Sequence, residues 1–233
     1  MKINKVTLTG ADNKTNYADL LKLQEQYPFV EWGILFSKSR EGQQRYPTQE
    51  HIKDQFTGIG SLELSAHFCG WRSKVVLENQ NFELITGLPD QFKRVQLNYN
   101  FKNSKGFDLI TLLRFAENYN QKSIILQYNR SNSEVLDKFR SENVLPENIH
   151  FLYDGSGGRG TEIQVIDEPI GTYYTGYSGG LSTENIDSIC ATISRAENQS
   201  KVWIDMESGV RTDNDFDLIK VETILHKCAL FVS

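Results

Sequence analysis

The chain has 233 residues, with 25 Lys and Arg against 30 Asp and Glu, a net charge of −5 and three cysteines. The acidic balance argues against a dedicated nucleic-acid binder, whose footprint is a basic excess. No apolar run approaches the roughly 18 residues of a membrane span, and an odd number of cysteines builds no disulfide framework. The expectation is a soluble, cytoplasmic protein with no nucleic-acid or membrane partner, whose 39% hydrophobic content supplies a sizeable core.

In chain order, short apolar, β-branched or aromatic runs alternate with longer helical patterns. Lys5–Gly10 reads as the first strand, and Asn16–Tyr27, with Leu20, Leu21 and Leu23, as the helix behind it. Glu31–Phe36 is the second strand, followed by a helix over Thr48–Phe56. Leu62–Cys69 and Arg94–Asn100 are the third and fourth strands. Phe107–Tyr119 places Leu109, Ile110, Leu112, Leu113 and Ala116 on one apolar helical face. Ser123–Asn129 is the fifth strand, and Ser133–Asn143 a helix opening on a Ser cap. Ile149–Ser156 is the sixth strand. The connection Gly157–Gly171, with Gly157, Gly158, Gly160, Pro169 and Gly171, reads mainly as loop. Thr172–Gly179 is the seventh strand, and Thr183–Asn198 carries Ile186, Ile189, Cys190 and Ile193 at helical spacing. Lys201–Gly209 is the eighth strand, and Asp215–Phe231 the closing helix.

Eight strand–helix units in succession imply an α/β fold, a parallel sheet closed into a (β/α)8 TIM barrel. An open doubly wound sheet would carry Gly-x-Gly-x-x-Gly after its first strand; Thr9-Gly10-Ala11-Asp12 stands there instead. No Pro/Ser-rich linker or charge run divides residues 1–233, so one domain is expected.

Barrel enzymes do their chemistry at the C-terminal strand ends. After the sixth strand stands Asp154-Gly155-Ser156-Gly157-Gly158-Arg159-Gly160. After the seventh stands Ser178-Gly179-Gly180-Leu181-Ser182-Thr183-Glu184-Asn185, and after the eighth Asp205-Met206-Glu207-Ser208-Gly209-Val210. Glycine lets backbone N–H groups approach an anion closely, and a helix starting behind Ser182–Asn185 adds a partial positive end. A single Gly-Gly pair would read as a tight turn. Three such loops on adjacent strands point to a phosphate site, with Arg45 and Arg159 as cationic candidates. His67 and Cys69 lie two apart and share a strand face. They read either as core filling or, through His67, as a proton carrier. His67-Phe68-Cys69 has no partner cluster at zinc spacing, so neither metal nor cofactor is expected. Tyr173, Tyr174 and Tyr177 read as barrel packing, and Cys190 and Cys228 as buried helix residues.

In these motifs the chain resembles the phosphoribosylanthranilate isomerase family of tryptophan biosynthesis. Thr7-Leu8-Thr9-Gly10, Gln96-Leu97-Asn98-Tyr99, Asp154 with Gly157-Gly158-Arg159-Gly160, Ser178–Asn185 and Asp205–Arg211 fall in that family's order and spacing. The Arg45-Tyr46 loop is similar to its second loop. The resemblance implies a small phosphorylated substrate, a monomer or homodimer, and an Amadori rearrangement of an aminoaldose to an aminoketose. It places Asp154 as general acid and Thr9 at the position of the base. It sets Arg45, Gly157, Gly158, Gly179, Gly180, Asp205, Ser208 and Gly209 around the substrate and its phosphate.

Two positions depart from the family pattern. Its Cys base is Thr9 here, and the His of its Gln-Leu-His-Gly is Asn98. A thiol titrates near about 8.5 and can be lowered into a usable base; a threonine hydroxyl cannot. Turnover of phosphoribosylanthranilate is therefore expected to be absent or very slow. The alternative is an altered or inactive barrel that retains only phosphate-ligand binding. His67 is the candidate replacement base. Glu207 either points away from the phosphate or serves as a base in different chemistry.

Overall fold

The computed structural model describes residues 1–56, 62–99, 101, 106–129, 145–155, 173–196 and 200–232. Eight parallel strands pair in chain order: β1 (Lys2–Thr9), β2 (Val30–Phe36), β3 (Leu64–Cys69), β4 (Phe92–Asn98), β5 (Ser123–Tyr128), β6 (Ile149–Asp154), β7 (Thr175–Ser178) and β8 (Lys201–Met206). β8 pairs back onto β1, from Lys2 opposite Lys201 to Leu8 opposite Met206, and closes the barrel.

Successive side chains of a strand point to opposite faces. One set, including Val6, Leu8, Trp32, Ile34, Ala66, Phe68, Val202 and Ile204, belongs to the continuous hydrophobic cluster outside the barrel. The other set faces the barrel interior, and there the chain departs from the usual filling of branched apolar residues. Thr7, Thr9, Glu31, Ser65, His67, Arg94, Gln96, Asp154 and Asp205 are all buried. A small apolar plug of Ile125, Leu152 and Trp203 lies among them, with Tyr174 packed against it. Contacts across the barrel fix this inward orientation. Arg94 Nε on β4 lies 3.4 Å from Glu31 Oε1 on β2, and its guanidinium sits 4.1 Å over the Trp203 ring on β8.

Helices α1 (Tyr17–Gln26) and α2 (Gln49–Phe56) follow β1 and β2. Asn16 caps α1 through the Ala18 N–H, and the Thr48 hydroxyl accepts from the His51 N–H at 3.0 Å. The third connection holds α3 (Trp71–Glu78) and α4 (Glu83–Thr86), which the sequence pattern does not delimit. Gly70 stands before α3 with no capping side chain, and Val75, Val76 and Leu77 are consecutive rather than spaced three or four apart. α5 (Leu109–Asn118) is capped by Asp108, and α6 (Ile186–Arg195) follows β7. The expected helix at Ser133–Asn143 and the loop Gly157–Gly171 lie outside the described residues. Among the described residues, no helix is long and apolar enough to cross a membrane.

The closing helix starts at Leu218 rather than at the expected Asp215. Asp215–Phe216 (β10) pairs antiparallel with Arg211–Thr212 (β9). Asp213 and Asn214 turn the hairpin at φ values of 49° and 66°, the two positive values of a type I′ turn, which Asp and Asn tolerate. Helix α7 (Leu218–Cys228) begins beyond it, and the Asp217 carboxylate accepts from the Ile219 and Lys220 N–H groups. Asp217→Ala is expected to lower stability by about 1 kcal/mol in urea denaturation. An unchanged midpoint would show that the hairpin alone fixes the start of α7.

Candidate functional site

The C-terminal strand ends open on a cavity of about 680 Å3. Asp154 pairs in register with Ser178, and Ser178 with Asp205. The two aspartates therefore stand at one level, two strand spacings or about 10 Å apart along the sheet. The Asp154 Oδ2 accepts from Gln127 Nε2 at 2.7 Å. Gln127 is the inward residue of β5 just above the Ile125 plug, so a neighbouring strand fixes the carboxylate's direction.

Asp205 is held differently. The Thr9 hydroxyl donates to its Oδ1 at 2.9 Å, and His67 Nε2, which has no hydrogen-bond partner, lies 3.9 Å from Oδ2. Burial pushes the Asp205 carboxyl up to about 7, with Glu207 and Glu31 adding; the Thr9 hydrogen bond and the Arg94 charge oppose. Burial pushes His67 down to about 3, and Arg94 adds to that. The low-polarity interior thus favours a neutral imidazole beside a protonated carboxyl over an ion pair. The sequence provides room for this meeting at Gly33. A Cβ there would lie 2.1 Å from the Thr9 hydroxyl oxygen and 3.1 Å from His67 Nε2.

The Thr9 hydroxyl is committed as a donor and offers no base. Cys69 does not replace the missing thiolate, because burial pushes its thiol up to about 12, with Glu207 adding. Its sulfur accepts from Asn98 Nδ2 at 3.5 Å. Glu207 faces the cavity, and its Oε1 accepts from Arg45 Nη1 at 2.8 Å, so it does not point away. Arg45 is anchored by its backbone N–H to Asp12 Oδ2 at 2.8 Å and by Nε to Asn214 Oδ1 at 2.7 Å. Arg211, which could have offset Glu207, is buried and committed to the Gly10 carbonyl at 2.7 Å and Asp12 Oδ2 at 3.1 Å.

The loops after β7 and β8 form the opposite edge. Gly179 and Gly180 take φ values of 117° and 60°, a region that glycine enters without strain. Asn185 braces this turn, accepting from the Ser182 N–H at 2.9 Å and donating to the Gly180 carbonyl at 2.8 Å. A Cβ at Gly209 would lie 1.9 Å from the Leu181 carbonyl oxygen, so the two loops meet backbone to backbone.

Asp154, Thr9, His67, Arg45, Gly179, Gly180, Asp205, Ser208 and Gly209 all border this one cavity. Gly157, Gly158 and Arg159 lie outside the described residues. Asp205 lines the same cavity and stands beside Thr9 and His67. Gln127, Gln96, Ser178, Arg40 and Tyr46 also line the cavity and are absent from the sequence-derived set. A polar residue in inward register within an apolar strand is the signal that marks Gln127, after Ile124-Ile125-Leu126, and Gln96; Arg40 and Tyr46 stand in the loop after β2, where no such register exists. Among the described residues, no group of three or more His, Cys, Asp or Glu side chains is arranged to hold a metal ion.

Solved barrels share this architecture. The phosphoribosyl anthranilate isomerase from Thermococcus kodakaraensis superposes with a TM-score of 0.57 at 17% identity, over 96% of this chain and 98% of its own. The N-(5'-phosphoribosyl)anthranilate isomerase from Pyrococcus furiosus gives 0.59 at 13% identity, over 97% and 99%. A truncated 3-deoxy-D-arabino-heptulosonate 7-phosphate synthase from Thermotoga maritima gives 0.51 at 10% identity, over 100% and 89%. The chain shares their barrel fold. No protein-family model and no curated protein sequence matches it.

Proposed function

We propose that the chain is an acid–base isomerase of the aminoaldose-to-aminoketose type, acting on a small phosphorylated sugar without metal or cofactor. The observation that carries this reading is Asp154, directed by Gln127 into the cavity that the two glycine loops border. Asp154 donates a proton to the ring oxygen of the sugar. Backbone amides around Gly179, Gly180, Ser208 and Gly209 hold the phosphate. Arg45, already paired with Glu207, reorients toward the ligand at the mouth. The isomerase structures sharing the fold support the same class. A second reading, a barrel that only binds the phosphorylated ligand, is favoured by Thr9, whose hydroxyl faces Asp205 where the resemblance expects a thiol.

The test is turnover of phosphoribosylanthranilate together with calorimetric binding of inorganic phosphate. Slow turnover is expected, falling about a hundredfold in Asp154→Asn, the scale of one acid–base group, with phosphate affinity unchanged. Phosphate binding with no turnover would select the second reading. Absence of both would sink the two together.

A further inference from the structure

We propose that Asp205, working with His67, is the base that the chain uses in place of a thiolate. The inference rests on the isomerase reading and names the group that reading lacks. Four observations converge on it. Asp205 stands at the same sheet level as Asp154, one strand removed on either side of Ser178. Asp205 lines the cavity. His67 Nε2, buried and without a hydrogen-bond partner, lies 3.9 Å from Asp205 Oδ2. Gly33 leaves the space that Thr9 and His67 occupy, where a Cβ would collide with the Thr9 hydroxyl at 2.1 Å and crowd His67 Nε2 at 3.1 Å.

The electron and proton bookkeeping closes. Asp154 protonates the ring oxygen, the C1–O bond breaks, and the nitrogen lone pair forms a C1=N iminium. The Asp205 carboxylate then takes the C2 proton. The C2–H electron pair becomes the C1=C2 bond, and the C=N π pair returns to nitrogen. The enol so formed gains a proton at C1 and loses its hydroxyl proton, giving the ketone. The carboxylate is populated as pH approaches 7, while burial keeps His67 neutral beside it; His67 is a positioning residue rather than one that touches substrate. The charged and titratable groups facing the pair are Glu31 from β2, Arg94 from β4, Asp154 from β6 and Glu207 after β8. Arg94 favours the ionised carboxylate, and Glu31 and Glu207 oppose it.

The pair has a pH signature that needs no substrate. Asp205 is raised on folding, so its contribution to stability is full at low pH and is lost as pH climbs toward 7. His67 is lowered on folding, so its penalty is full at low pH and fades as pH climbs to the unfolded value of about 6.5. Between about pH 4.5 and 6.5 the folded pair and the unfolded chain each hold one proton, and the two slopes cancel.

The experiment measures unfolding against pH for the wild type, Asp205→Asn and His67→Gln, and deuterium uptake from D2O during turnover of phosphoribosylanthranilate. The wild type is expected to be flat with respect to this pair. Asp205→Asn should become more stable with rising pH, and His67→Gln less stable, each by up to tenfold in the unfolding constant per pH unit relative to the wild type. Deuterium uptake should fall about a hundredfold in Asp205→Asn, and the turnover profile of His67→Gln should move along the pH axis. Two variants that tilt the stability profile the same way would overturn the one-proton pair. Uptake lost in Asp154→Asn but kept in Asp205→Asn would overturn the inference and leave the isomerase reading standing. A wild type showing neither turnover nor uptake would overturn both.

Discussion

Arg94→Met is expected to destabilise the protein by about 3 to 5 kcal/mol, the usual cost of stranding one member of a buried ion pair. The Arg94 and Glu31 side chains are only 6% and 2% exposed. Removing the guanidinium leaves the Glu31 carboxylate in the barrel interior with its remaining oxygen, Oε2, already lacking a hydrogen-bond partner. Methionine fills most of the arginine stem's volume and packs well on an aromatic face. The loss therefore reports the stranded charge more than a cavity over Trp203. Glu31→Leu combined with Arg94→Met should recover most of the stability, because an apolar pair of similar volume avoids the desolvation that the ions suffer. Urea denaturation with unchanged m-values is the measurement. If Arg94→Met alone matched the wild type, the ion pair would be excluded as a support of the barrel floor. The same variant bears on chemistry. Arg94 lowers both His67 and Asp205, so its loss should move the activity profile toward higher pH.

The barrel was legible because its strands carry two messages at once. The outward set, such as Val6 and Leu8 or Trp32 and Ile34, is apolar and betrays each strand. The inward set, such as Thr7 and Thr9 or Glu31 and Gly33, carries the site. Reading the runs as strands required only the first set. Finding the site required the second, and its members become meaningful only when strands far apart in sequence are brought together. Thr9 and Asp205 are 196 residues apart and 2.9 Å in contact. No local pattern announces that distance. The hairpin before α7 was hidden for a different reason. Asp213 and Asn214 are compatible with a helix start as well as with a turn, and their positive φ values decide the matter. The turn after β7 was legible, since Gly179 and Gly180 do adopt left-handed backbone. What sequence could not supply was the braces, Gln127 on Asp154 and Asn185 across Ser182 and Gly180, because each is a long-range or loop-closing contact.

Arg211→Met should cost about 3 kcal/mol or more and should also weaken ligand binding at a mouth it does not itself border. Arg211 is buried, and it donates to the carbonyls of Gly10 and Asn214 and to Asp12. Those three acceptors belong to the loop after β1 and the hairpin after β8. Asp12 in turn accepts from the Arg45 N–H, so the Arg45 loop hangs on the same carboxylate. Methionine would leave two carbonyls without their donor and a buried carboxylate short of its cation, each a recognised penalty. The hairpin would loosen, and with it Asn214 Oδ1, the partner of Arg45 Nε at 2.7 Å. Arg45 would then lose the anchors that aim it at Glu207. Arg211→Lys should not rescue the variant, because a single ammonium cannot reach the three acceptors that a planar guanidinium spans. Thermal denaturation and phosphate calorimetry on Arg211→Met and Arg211→Lys decide the point. Stability loss with unchanged phosphate affinity would confine Arg211 to the fold. Parallel loss in both variants would place the Asp12–Arg211 pair among the supports of the site, since it joins three loops that share no secondary structure.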